Sequence, residues 1–531
     1  MADHDRKDWM RREVLRGRMS RRDFIQLSLA AGVSVAAADG AFAAATASGP
    51  RKGGTFKMAV AHGAPKDTFD PATWVDLFMA DAGQIVGNCL VSVDQRNTLQ
   101  PDLAEAFEPS DGAKTWMFRL KKGITFHNGK TLSADDVIAN IAYHRDPKTR
   151  SPLQAELAEI AEVKSDGDDK VLVTLKSANA DFPYVLSDYH LPIFAAKDGK
   201  IDFSAGIGTG PYVLDKFEPG AKLTAHRNPN YHHSDAAWFD GLELHSMPDY
   251  SVREAALTGG QVHYADRIDP RSIPPLKRRK DMRVTEVAGF GHYVAPMNCS
   301  VKPFDNNSVR QALKYAINRD ELVKRVLSGY GIPGDDVPLA PSLKYATQPE
   351  PKYHYDPEQA KSLLKTAGIT DLKLDLSVSE AAFPGATDAA QLIKASAKKA
   401  GIEINVVKEA ADSYWDVVWM KRPWCLSYWS GRPTANGMFS TAYAADANWN
   451  DSYWKNARFN ELLVSARAEI DDKKRFEMYS EMQQIVHDDG GVAVLMFNSY
   501  LSAHSAKVAH GDLNSNTDHD GGQIFQRWWM A

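Results

Sequence analysis

Short alternating runs of apolar and polar residues fill the first half of the chain, and helical spacing takes over in the second. Thr55-Phe56-Lys57-Met58-Ala59-Val60 alternates after Gly53-Gly54 and predicts the first strand. Residues 116–120 read as another, lying between the turn signals Ser110-Asp111-Gly112 and Lys122-Gly123. Ser133 can cap a helix whose positive end suits Asp135 and Asp136. Residues 169–175 alternate again, and 212–214 with 223–226 bracket Glu218-Pro219-Gly220 as a hairpin. Further on, Val309, Leu313, Ile317, Leu322, Val323, Val326 and Leu327 recur at helical spacing, with a restart that Asp320 can cap. Asp356-Pro357-Glu358 opens a helix and Gly368 stops it; residues 388–399 repeat the pattern up to Gly401. Strands at 371–378 and 402–407 flank that second helix, a β-α-β arrangement that predicts a mixed or parallel sheet covered by helices. A helix over 471–487 and a strand over 492–497 follow.

The first 50 residues follow a different pattern. A polar, Arg-rich start leads to Ser20-Arg21-Arg22-Asp23-Phe24-Ile25, then to a mild apolar stretch ending at Asp39-Gly40. That stretch is too short to span a bilayer, and small-x-small cleavage signals stand at Ala41-Phe42-Ala43 and Ala45-Thr46-Ala47. The reading is a twin-arginine export signal over residues 1–43, placing the mature protein in the periplasm after passage through the twin-arginine translocase. Cleavage after Ala43 or Ala47 fits equally well.

Composition narrows the function classes. The chain has 531 residues, enough for two or three domains, and is 44% hydrophobic and 25% charged, as ordinary globular proteins are. Its net charge of −5 provides no basic field for nucleic acid, and removing residues 1–43 leaves −7. Three widely separated cysteines, Cys89, Cys299 and Cys425, exclude a disulfide framework and a cysteine-ligated metal cluster, and read as buried thiols.

Catalytic signatures are missing. Residues 123–131 approach a phosphate-binding loop but carry one residue too many between the glycines and lack the strand–loop–helix setting. Gly206–Pro211 is glycine-rich but runs into a strand, where no helix N-terminus could hold a phosphate. GxSxG, HExxH and EF-hand patterns do not occur, and His232-His233 reads as a solvated turn. The expectation is a protein that is not an enzyme, with no cofactor and no metal. One region is chemically dense: Tyr414-Trp415, Trp419, Trp424, Tyr428-Trp429, Arg432, Trp449, Tyr453 and Trp454, broken into loop by Gly431, Pro433, Asn436, Gly437, Asn448 and Asn450. Aromatic rings beside glycine and one arginine on loops suit a ligand cleft.

Several stretches together resemble the extracellular solute-binding proteins of ABC importers, family 5, the dipeptide/oligopeptide/nickel-binding class. They are Gln100-Pro101-Asp102-Leu103-Ala104-Glu105, residues 116–120, Lys122–Gly129 with Ser133–Val137, Gly208–Tyr212, Arg227-Asn228-Pro229-Asn230-Tyr231, Val309–Leu313, and Tyr355-Asp356-Pro357. They keep the family's order and span about residues 52–500. The resemblance implies a periplasmic-binding-protein-like α/β fold of two lobes (type II, cluster C) with an extra domain inserted in the N-terminal half. On that basis 52–74, 201–290 and 498–531 form lobe one, 75–200 the inserted domain and 291–497 lobe two, with hinge connections near 290–297 and 496–500. It further implies a monomeric receptor that captures a peptide or peptide-like solute between the lobes and passes it to an ABC permease and its ATPase. A periplasmic hydrolase or transferase on the same scaffold, and a chaperone or sensor-linked binding protein without a permease, are the alternatives.

In dipeptide-binding relatives the loop after a Trp-x-Gly carries an Asp that holds the peptide's free amine. Here Trp429-Ser430-Gly431 is followed by Arg432, so the charge is reversed and would favour an anionic, opine-like solute. The other reading of Arg432 is an outward side chain or a pair with Asp446. Tyr293, Asn298 and Trp415 are the candidates for the opposing walls.

Overall fold

The structure, a computed structural model, describes residues 49–74, 76–410 and 414–531; the export signal expected at 1–43 lies outside them. One large sheet organises the molecule. Its strands run in the order Tyr212–Glu218, Lys222–Arg227, Gly241–Ser246, Thr55–Val60, Tyr264–Ala265, Val492–Ser505, Met282–Pro296 and Ser427–Trp429. Thr55–Val60 lies parallel to both its neighbours and is buried over most of its length, as a central strand covered on both faces must be. The helix Leu77–Val86 lays Phe78, Met79, Ala82, Ile85 and Val86 on that strand, against Phe56, Met58 and Val60. Asp76 starts the helix by accepting from the backbone N–H groups of Phe78 and Met79. The division drawn from sequence put this helix in the inserted domain; its apolar face belongs to the first lobe's core. The glycine run at 206–211 packs against the end of the helix: a Cβ on Gly208 would stand 2.1 Å from the Val86 carbonyl oxygen, so only glycine fits.

Residues 90–193 carry a separate core. Four antiparallel strands, in the order Ala104–Ser110, Thr115–Leu120, Lys170–Leu175 and Ile160–Ser165, turn alternate side chains inward. Trp116, Phe118, Leu120, Val171, Val173 and Leu175 meet the helix Ala134–Arg145 through Val137 and Ile141. Ser133 does cap that helix, its own backbone N–H donating 3.0 Å to the Asp136 carboxylate.

The second lobe is built around the β-α-β unit Leu372–Val378, Ala386–Lys398, Ile402–Lys408, whose two strands pair in parallel. Helices Asn307–Ala316, Arg319–Val326 and Pro357–Thr366 cover one side, and Ala457–Ala468 with Asp472–Asp489 form a second packed group. The restart after Ala316 is capped by Asn318, which accepts from the Glu321 N–H at 3.1 Å, and not by Asp320, which sits in the first turn.

Two long strands, Met282–Pro296 and Val492–Ser505, run antiparallel from one lobe into the other. Met282 and Ala503 are buried in the first lobe, while Ala295, Ala493 and Val494 are buried in the second. Their ladder is interrupted between Ala288 and His292, overlapping the start of the 290–297 stretch expected for the hinge. Away from these strands the inserted domain and the second lobe touch. Arg475 pairs with Asp181 at 2.7 Å, both side chains 8% exposed, and the Ala180 N–H donates to the Arg467 carbonyl at 2.7 Å. The Arg475 guanidinium also lies over the rings of Tyr345 and Tyr479, 5.1 and 5.6 Å from their centroids. Among the described residues no helix is long and apolar enough to cross a membrane.

Candidate functional site

Strand pairing brings the predicted aromatic and basic residues together. Ser427–Trp429 joins the sheet beside Met282–Pro296, with Trp429 opposite His292 and Tyr428 opposite Tyr293. The chain then turns through Ser430, Gly431 and Arg432 to the helix Ala435–Ala442, which Thr434 caps by accepting from the Gly437 N–H at 2.9 Å. Gly431 is required at the turn, because a Cβ there would stand 2.2 Å from the Phe290 Cβ.

Around this strand the tryptophans form a nest. Trp429 is buried and meets Trp419 at 6.3 Å and Trp449 at 6.2 Å between ring centroids. Trp415 lies edge-on to Trp419 at 5.8 Å and to Tyr428 at 5.6 Å. The outer rings stay in solvent: Trp415, Tyr428 and Trp449 are 38%, 44% and 49% exposed. Aromatic surface of this extent left open beside a hinge suits a flat apolar ligand face. Tyr293 stacks flat on Phe383, 4.1 Å away and 7° from parallel.

Arg432 is half-buried. Burial lowers its pKa, and the acidic charges it senses are Glu156 and Asp188, not Asp446. Its Nη1 reaches the carbonyls of Ser430 and Gly431 at 3.4 Å each. Among the described residues no carboxylate comes within ion-pair distance of it. His292, opposite Trp429 and fully buried, is pushed down to about 4 by that burial, with the Arg432 charge adding to it, so it is a neutral imidazole.

Asn298 is not part of this group. It lies beyond the far end of Met282–Pro296, and its side-chain oxygen accepts from the N–H and hydroxyl of Ser300 at 2.9 and 2.6 Å. Sequence reasoning missed Arg267, in the left-handed region at φ 47° just after Tyr264–Ala265. Its side chain is half exposed, 3.7 Å from Asp518, and its charge reaches Tyr293 from the first lobe. No local motif marks it.

Asp451 lies buried beneath the nest, with Trp419 Nε1 donating to it at 3.1 Å. Burial pushes its carboxyl up to about 7. A carboxyl raised in this way keeps its proton longer in the folded than in the unfolded chain. Its contribution to stability is therefore complete below the usual carboxylate range and falls as pH rises toward 7. Asp451→Asn, which imitates the neutral form, should gain on the parent between about pH 5 and pH 8 in urea unfolding. A variant weaker by the same margin at both pH values would show that the ionised carboxylate holds the nest.

Comparison with known proteins agrees with this architecture. The family model described as bacterial extracellular solute-binding proteins, family 5 middle, matches residues 98–451. The chain is 29% identical over 445 residues to the dipeptide-binding protein of Escherichia coli K12, covering 74% of this chain and 80% of that one. It is 26% identical over 466 residues to the glutathione-binding protein GsiB of the same strain, covering 85% and 91%. Among solved structures, HbpA2 from Haemophilus parasuis superposes with a TM-score of 0.81 at 21% identity, over 90% of this chain and 100% of that one. The protein AgaA from A. tumefacien R10, solved in complex with agropinic acid, gives 0.71 at 20% identity over 90% and 99%. Two of these relatives are named as binding proteins, and a third was solved with a bound solute. With the family model matching well over half its length, the chain belongs to the bacterial extracellular solute-binding proteins of family 5.

Proposed function

We propose that this protein is the solute receptor of an ABC importer and that it captures a peptide-like solute carrying an anionic group between its lobes. The observation that carries the reading is Arg432: a half-buried guanidinium beside the aromatic nest, with no carboxylate partner among the described residues. A planar fork of donors so placed matches a carboxylate or phosphate and repels an ammonium. Among the relatives, the names dipeptide-binding and glutathione-binding support peptide-like chemistry, and glutathione is itself anionic.

In this reading the interruption between Ala288 and His292 is the hinge, and the inserted domain begins after Val86. Solute favours the closed arrangement; a closed state binding it about 10⁴-fold better converts a mostly open population to a mostly closed one. The membrane permease would then take the solute from the closed receptor.

A thermal-shift screen tests the proposal with neutral dipeptides, acidic dipeptides, glutathione and opines. A solute at about 100 times its Kd adds roughly 2.7 kcal/mol to the native state, a resolvable shift. Anionic members should raise the transition and neutral dipeptides should not. Stabilisation by neutral dipeptides alone would restore the ordinary peptide reading, and turnover of any stabilising compound would overturn the receptor assignment.

A further inference from the structure

Asp102 lies between the strands Leu99–Pro101 and Ala104–Ser110, and His232 and His233 follow the strand Lys222–Arg227 of the first lobe. Some 130 residues separate them in sequence, yet His232 Nε2 and His233 Nε2 stand 3.0 and 2.9 Å from the same carboxylate oxygen, Asp102 Oδ1. All three donor atoms lie within 4.8 Å of one another. Neighbouring side chains on an extended chain point to opposite sides; here the turn brings both imidazoles onto one point, their rings tilted by 45°. The solvated turn expected from sequence is therefore a packed one. Burial alone would raise the Asp102 carboxyl, but the two imidazoles offset that and hold it below the usual carboxylate range.

A further group orients the carboxylate. Asn88 Nδ2 donates to Asp102 Oδ2 at 3.1 Å and to the Tyr231 hydroxyl at 3.1 Å, as outer partners do behind a metal-bound carboxylate. The side chains of Asp102 and His232 are nearly buried, whereas that of His233 is 28% exposed, leaving an approach from solvent on one side.

We propose that Asp102, His232 and His233 form a site for one divalent transition-metal ion, zinc by the donor set, which fastens the inserted domain to the first lobe. Two imidazole nitrogens and one carboxylate oxygen suit Zn²⁺, whereas Ca²⁺ and Mg²⁺ take oxygen ligands. Bond lengths of about 2.0–2.1 Å put tetrahedral donor atoms roughly 3.3 Å apart, so each imidazole–carboxylate separation needs to open by only a few tenths of an ångström. Water takes the fourth position on the His233 side. The site shares no residue with the aromatic nest and stands independently of the receptor reading.

The test uses the full mature protein, stripped with chelator, titrated with Zn²⁺ by calorimetry and with Co²⁺ by visible absorption. The parent should bind one ion per chain and give the ligand-field bands of low-coordinate Co²⁺. His233→Gln keeps a hydrogen-bond donor for Asp102 but removes the imidazole. It should weaken Zn²⁺ binding beyond the roughly 10–100-fold that loss of an outer partner costs, with the circular dichroism spectrum unchanged. His232→Ala/His233→Ala should abolish both signals, while Arg432→Ala should bind the ion as the parent does. Equal Zn²⁺ binding by the parent and the double variant, or no binding by the parent, would overturn the site.

Discussion

Replacing Arg432 with alanine should weaken binding of an anionic peptide-like solute by roughly 30-fold or more, measured by calorimetry. Truncating one partner of a buried charged pair costs about 2–5 kcal/mol when the other is left unpaired. The solute's anionic group would be that stranded partner. The 3.4 Å contacts to the Ser430 and Gly431 carbonyls vanish with the guanidinium, and alanine offers no donor in its place. Arg432→Lys should fall between parent and alanine, since an ammonium keeps the charge and loses the planar fork. Arg432→Asp should abolish anionic binding and admit a free amine. If Arg432→Ala binds the cognate solute as the parent does, the charge at this turn is irrelevant to recognition.

The largest effect on stability is expected at His519. Its fully buried ring lies between two fully buried carboxylates, Nδ1 2.9 Å from Asp81 and Nε2 3.3 Å from Asp266. Arg253 completes the group, 3.1 Å from the other Asp266 oxygen, and the Ala61 N–H donates to Asp266 at 3.2 Å. This cluster ties the C-terminal segment to the helix Leu77–Val86 and to the end of the inner strand Tyr264–Ala265. Burial opposes a charge on His519, but the two carboxylates prevail and raise its pKa well above the ordinary imidazole value. His519→Ala leaves Asp81 buried without its cation and Asp266 with Arg253 alone, and should cost about 3–5 kcal/mol in the transition that unfolds the first lobe. A histidine raised in this way gives its full contribution below its unfolded pKa of about 6.5 and loses it as pH climbs through the higher folded value. The gap between parent and variant should therefore be wide near pH 6 and narrower near pH 9. A variant as stable as the parent near pH 6 would remove the cluster from any account of what holds the lobe.

Local signals were the readable ones. Ser133 with Asp136, and Asp356 before Pro357, announce helix starts through bonds spanning only a few residues, and both form as expected. Asn318 displaced Asp320 as a cap because the two sit in the same turn and only backbone geometry decides between them. The helix Leu77–Val86 was assigned to the wrong unit because its apolar stripe says that it is buried, not against what. Trp415, Trp429 and Arg432 were found through their density along one loop, and Tyr293 joins them through the pairing of two strands far apart in sequence. Asn298, near Tyr293 in sequence, lies past the end of the same strand and is occupied by Ser300. Arg267 escaped notice, and His232-His233 read as a solvated turn without its link to Asp102, for one physical reason. Their partners are long-range, and single residues carry no periodicity that could reveal them.

Under the proposed receptor function, the cross-domain pair of Asp181 and Arg475 carries a consequence for background traffic at the membrane. A charge pair this dry, braced by Tyr345 and Tyr479, favours the shut arrangement whether or not the cleft is occupied. Every 1.4 kcal/mol it supplies raises the empty shut population tenfold relative to the open one, up to saturation, and tightens apparent solute affinity only while the open form dominates. A transporter that recognises shape alone would meet unladen copies in that proportion. The strength of this one contact therefore sets a trade between scavenging at low solute and futile docking at high receptor abundance.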